Sequence, residues 1–108
     1  MRVSVDGVAG EQFFADLRSR DVEFVDADAD IAFLGVEDRT GLVRFTQALA
    51  RCALPGGPVW VVYPKGVKTI TEYHVRDTGL ATGLVDNKIA RFSDTHTAMR
   101  FVGRRARR

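Results

Sequence analysis

The chain has 108 residues, enough for one domain and too few for a two-domain enzyme. Hydrophobic residues make up 45% and charged residues 28%, close to the soluble globular average, which excludes a disordered chain and a membrane-spanning one. The formal charge of +2 is unevenly spread: Arg100, Arg104, Arg105, Arg107 and Arg108 crowd the end, and residues 1–99 carry 11 basic against 14 acidic groups, a net −3.

Arg2-Val-Ser-Val-Asp6 alternates apolar and polar residues as a half-buried strand does, and Gly7 and Gly10 then allow a tight turn. Over residues 11–20, Phe13, Phe14 and Leu17 fall on one face of a helix, with Asp16, Arg18 and Arg20 on the other. Val22-Glu-Phe-Val25 reads as a short second strand, ended by the aspartate-rich run Asp26-Ala-Asp-Ala-Asp30.

Ile31-Ala-Phe-Leu-Gly-Val36 is an almost unbroken apolar run, which marks a central strand covered on both faces. Leu42, Phe45, Leu49 and Cys52 recur at helical spacing, so a second helix is predicted over residues 40–54, capped by Asp38 or Thr40 and stopped by Pro55-Gly-Gly-Pro58. Val59-Trp-Val-Val-Tyr63 is a further buried strand, on which Trp60 and Tyr63 are core.

Thr69-Ile-Thr-Glu72 has capping-box spacing and predicts a third helix that ends at Gly79. Residues 84–92 and 96–102 then read as two strands joined by a short turn at Ser93-Asp94, hence an antiparallel hairpin. Asp86, Asn87 and Lys88 interrupt the first of these with three polar groups, and a structural hydrogen-bond network is the favoured explanation. The resulting order of elements predicts a small three-layer α/β domain over residues 1–103, doubly wound, with a mostly parallel sheet closed by an antiparallel hairpin. Residues 104–108 form a basic tail.

A parallel sheet with a terminal antiparallel hairpin resembles the class I methyltransferase variant of the Rossmann-like fold, in truncated form. Ala29-Asp-Ile-Ala-Phe-Leu followed by Leu54-Pro-Gly-Gly-Pro-Val-Trp-Val is similar to the strand, helix and "LxPGGxxWV" succession of those enzymes. More narrowly, Val59-Trp-Val-Val-Tyr-Pro-Lys65, Gly83-Leu-Val-Asp-Asn-Lys-Ile89 and Thr95-His-Thr-Ala-Met-Arg-Phe101 resemble an uncharacterised bacterial family of short proteins with a domain of unknown function. The methyltransferase resemblance implies a loop of pattern D/E-x-G-x-G-x-G that cradles S-adenosylmethionine, and an acid after the second strand for the ribose hydroxyls. Here the loop is Val5-Asp-Gly-Val-Ala-Gly10, with two glycines in a different rhythm and a branched Val8 between them. The chain is also short by about one βαβ unit of roughly 30 residues.

Ligands of open α/β sheets bind beyond the carboxyl ends of the strands. That rule gathers Asp6 and Gly7, Asp26 and Asp28, residues 37–39 and 64–66, and the turn at residues 93–96 at one edge. The candidate ligand residues are Gly7, Gly10, Asp28, Lys65, Asp94 and His96, with the plainer reading that Lys65 and Asp94 form an exposed ion pair and His96 caps the hairpin. His74 has no second His or Cys at ligand spacing, so no metal is expected, and no catalytic Ser, His and Asp set can be argued.

The leading expectation is therefore a cytoplasmic, non-catalytic binding or interaction module without a cofactor, for which an exposed edge or an apolar helix face leaves a homo-oligomer open. An S-adenosylmethionine-dependent enzyme, with Asp6, Gly7, Gly10 and Asp28 around the cofactor, is the alternative. A nucleic-acid accessory protein acting through Arg104, Arg105, Arg107 and Arg108 is a third reading, weakened by an acidic body whose basic groups form no stripe interleaved with aromatics.

Overall fold

The computed structural model describes residues 1–45 and 58–103. The greater part of the predicted second helix, including Cys52, and the arginine tail lie outside the described residues. Six strands form one sheet: β1 (Arg2–Asp6), β2 (Glu23–Phe24), β3 (Ile31–Gly35), β4 (Val59–Pro64), β5 (Leu84–Arg91) and β6 (His96–Gly103). Helix α1 (Glu11–Arg18) follows β1, a 3-10 helix (Arg39–Arg44) follows β3, and α2 (Glu72–Ala81) follows β4.

The strand order is β2-β1-β3-β4-β6-β5. β2, β1, β3 and β4 pair in parallel, while β6 is antiparallel to both β4 and β5, so β5 runs in the same direction as the parallel set. This is the doubly wound, mostly parallel sheet with a closing hairpin that the sequence predicts. Alternation along β4 sends Val59, Val61 and Tyr63 to the main core, while Trp60 and Val62 join a smaller cluster on the opposite face. The main core is covered by the 3-10 helix and α2 through Leu42, Phe45 and Val75. The smaller cluster is covered by α1 through Phe13, whose ring meets Phe33 edge-on at 4.9 Å.

Several boundaries differ from the sequence reading. α1 ends at Arg18, with Ser19 as its C-cap, and the chain then passes through Asp21 at φ 55. Asp38 caps the segment after β3, accepting hydrogen bonds from the backbone N–H of Thr40 (3.0 Å) and Gly41 (3.3 Å), but the first turns are 3-10 rather than α. The Thr40 hydroxyl and these N–H groups outweigh desolvation and hold the Asp38 carboxyl below its ordinary range. The N-cap of α2 is Thr71 rather than Thr69, because His74 Nδ1 accepts the Thr71 N–H at 3.0 Å in the role a glutamate has in the usual capping box. Gly79 does not end that helix. It is buried within it, since a Cβ there would lie 2.1 Å from the Phe101 ring, and the chain turns instead at Gly83 (φ +89). In β5 the three polar residues are resolved by a bulge between Asp86 and Lys88, and Asp86 accepts from Arg76 Nε at 3.0 Å. Asp86 and, behind it, Glu72 raise the affinity of the Arg76 guanidinium for its proton.

Candidate functional site

Because β5 is aligned with the parallel strands, the turns after β1, β3, β4 and β5 all emerge at one edge of the sheet. Two features of that edge bear on function: the crevice between the ends of β1 and β3, and a cavity beside it.

The crevice is the topological switch point, because the chain leaves β1 toward β2 on one side and reaches β3 on the other. Gly7 and Gly35 meet there backbone to backbone. A Cβ on Gly35 would fall 2.2 Å from the Gly7 carbonyl oxygen, and one on Gly7, at φ +76, would fall 2.9 Å from the Gly35 oxygen. Arg44, from the end of the 3-10 helix, spans the same place: Nη1 donates to Asp6 Oδ1 at 3.1 Å and Nη2 to the Gly35 carbonyl at 2.6 Å. Val8 turns inward and packs with Val62 and Ala98.

The cavity, of about 740 Å³, opens between the β1–α1 turn and the β5–β6 turn. Gly7, Val8 and Gly10 form one wall, Gln12 and Asp16 of α1 contribute polar groups, and Glu37, Arg91 and His96 face them. His96 Nε2 lies 3.0 Å from Glu37 Oε2 and its Nδ1 lies 2.8 Å from the Thr95 hydroxyl. A carboxylate oxygen accepts, so the Nε2–H of His96 donates to Glu37. Ser93 Oγ, accepting from the backbone N–H of His96 at 3.1 Å, fixes the start of β6 and hence the ring. The cavity thus presents two acids, Asp16 and Glu37, and two basic groups, Arg91 and His96, around an apolar floor that includes Phe13 and Val62.

Of the residues singled out from sequence, Gly7, Gly10 and His96 come together on this cavity. Lys65 and Asp94 are not among its lining residues, and they do not form the expected pair. Asp94 is held by Arg91, three residues away across the turn, and the backbone N–H of Lys65 donates to the Thr95 carbonyl at 3.0 Å. Asp28 stands exposed at φ 58 and does not line the cavity, while Asp26 lines a separate hollow with Phe14 and Phe24. Arg104, Arg105, Arg107 and Arg108 lie outside the described residues. Among the described residues there is no group of three or more His, Cys, Asp or Glu arranged to hold a metal ion, and no helix long and apolar enough to cross a membrane. Sequence reasoning missed Arg44 and Arg91. Each is an ordinary arginine in its local context, and only the tertiary approach of β1, β3 and the hairpin gives it a role.

No family model matches the chain, and no curated protein sequence matches it. Among solved structures it is similar to an S-adenosylmethionine-dependent methyltransferase from Aquifex aeolicus, with a TM-score of 0.62 and 14% identity over 94% of this chain and 81% of that one. It is also similar to the Methanococcus jannaschii fibrillarin pre-rRNA processing protein (TM-score 0.61, 8% identity, 95% of this chain and 67% of that one). A third likeness is to an O-methyltransferase from neocarzinostatin biosynthesis solved with S-adenosylmethionine (TM-score 0.62, 13% identity, 94% of this chain and 48% of that one). At these identities the likeness establishes the fold: a methyltransferase-like α/β sheet, shortened relative to those chains.

Proposed function

We propose that this chain is a non-catalytic module on the methyltransferase fold, which binds a small polar ligand in the cavity at the strand edge and has lost the site for S-adenosylmethionine. The observation that carries the reading is Arg44 lying across the β1–β3 crevice, bonded to Asp6 and to the Gly35 carbonyl. A nucleoside seated at the switch point competes with that guanidinium and with the Gly7 to Gly35 contact. The acids available for ribose hydroxyls, Asp26 and Asp28, do not line the remaining cavity, and β2, only two residues long, is the edge of the sheet. The paired acids and bases of the cavity favour a ligand that both donates and accepts hydrogen bonds.

A thermal-shift scan with S-adenosylmethionine and its demethylated product tests the loss. A ligand at 100 times its Kd stabilises the native state by about 2.7 kcal/mol, which raises Tm by several degrees. The reading predicts an unchanged Tm with both compounds, and a saturable rise with either contradicts it.

A further inference from the structure

Register pairing places Val5, Phe33, Trp60, Arg100 and Lys88 side by side in one row across β1, β3, β4, β6 and β5. These side chains share one face of the sheet, the face opposite the main core. Among the described residues α1 is the only helix on it, and α1 meets this face through Phe13, against Phe33 and Phe92. The paired positions of β4, β5 and β6 on this face bear Arg100 and Lys88 and no carboxylate, although residues 1–99 carry a net −3. Trp60 and Arg100 are half-buried and Lys88 is exposed. Residues far apart in sequence are therefore brought side by side, the Trp60 ring next to Arg100 and Arg100 next to Lys88, an adjacency the linear order does not reveal.

We propose that this row is a binding surface for single-stranded nucleic acid. Neighbouring strands are about 4.8 Å apart, so a base stacked on the Trp60 ring leaves its flanking phosphates within reach of Arg100 and then Lys88. Aromatic platforms with adjacent cations bind unpaired strands because every base offers a flat face, whereas a duplex keeps its bases stacked inside. An acidic peptide satisfies the two cations but makes no use of the aromatic side chains beside them. None of the five residues of the row lines the edge cavity or takes part in the Arg44 contact.

Trp60 is the sole tryptophan, so its fluorescence reports occupancy of the row directly. Titration of the full chain with a short oligothymidylate at low salt is expected to quench Trp60 saturably. The double variant Arg100→Ala, Lys88→Ala, whose side chains reach solvent, is expected to bind about tenfold or more weakly. The slope of log K against log salt should also fall by about 1.4, two phosphates at about 0.7 each. Labelled oligothymidylate should bind Trp60→Phe nearly as wild type and Trp60→Leu about tenfold more weakly, with circular dichroism confirming that both variants are folded. Absence of quenching overturns the proposal. So does wild-type affinity in the double variant, or equal competition by duplex DNA or polyglutamate.

Discussion

Arg44 donates through Nη2 to the Gly35 carbonyl at 2.6 Å, and this bond ties the 3-10 helix to the end of β3 at the place where the sheet changes winding direction. The same guanidinium reaches Asp6 at the end of β1, 38 positions away in sequence, so one side chain joins the ends of β1, β3 and the 3-10 helix.

Arg44→Ala removes that link. Both members of the ion pair are about one-third exposed, 34% for Arg44 and 27% for Asp6, so solvent screening keeps the Coulombic part small. The expected loss is about 1 kcal/mol, or about 4–8 °C in Tm for a domain of this size. Urea unfolding followed by circular dichroism measures it. A variant as stable as the wild type removes Arg44 from the account of the crevice.

Gly79→Ala is expected to destabilise the fold even though alanine is the better helix former by about 1 kcal/mol. The added Cβ would lie 2.1 Å from the Phe101 ring, and that ring is fully buried with Phe45 edge-on at 5.1 Å, so it has nowhere to move. Overpacking of this kind costs about 1–3 kcal/mol. A lowered urea midpoint with an unchanged slope is the predicted outcome. A raised midpoint shows that α2 shifts away from Phe101 without penalty.

The two glycines of α2 and its end show how far the sequence could be read. The buried strands, the hairpin, the edge to which the loops run and the Asp38 cap were all legible, because each depends on local spacing or residue type. Gly79 was misread as a stop, since what keeps it glycine is Phe101, 22 positions later. The helix cap lies two residues further on than the spacing predicts, because His74 accepts the Thr71 N–H in the way Glu72 is expected to accept that of Thr69. Arg44 and the row through Trp60 were invisible for a related reason: parallel pairing and antiparallel pairing decide which distant residues meet, and neither leaves a mark in any one segment.

Tyr63 gives the fold a sensitivity to alkali. Burial, reinforced by the charge of Glu72 and opposed by Arg76, pushes its phenol above the ordinary tyrosine value near 10. The folded state therefore holds this proton to a higher pH than the unfolded chain does. Stability is fully present below the ordinary value and is lost as pH rises through it toward the raised one. Urea midpoints at about pH 9 and about pH 11 should differ less in Tyr63→Phe than in the wild type. Equal pH dependence in the two proteins contradicts the assignment.

Isothermal titration of the wild-type chain with S-adenosylmethionine tests the central claim most directly. With Arg44 across the β1–β3 crevice and Val8 packed beneath the turn, the account predicts no saturable heat up to about millimolar ligand, where a Kd of 1 mM corresponds to about −4.1 kcal/mol. A one-to-one isotherm with micromolar affinity contradicts it.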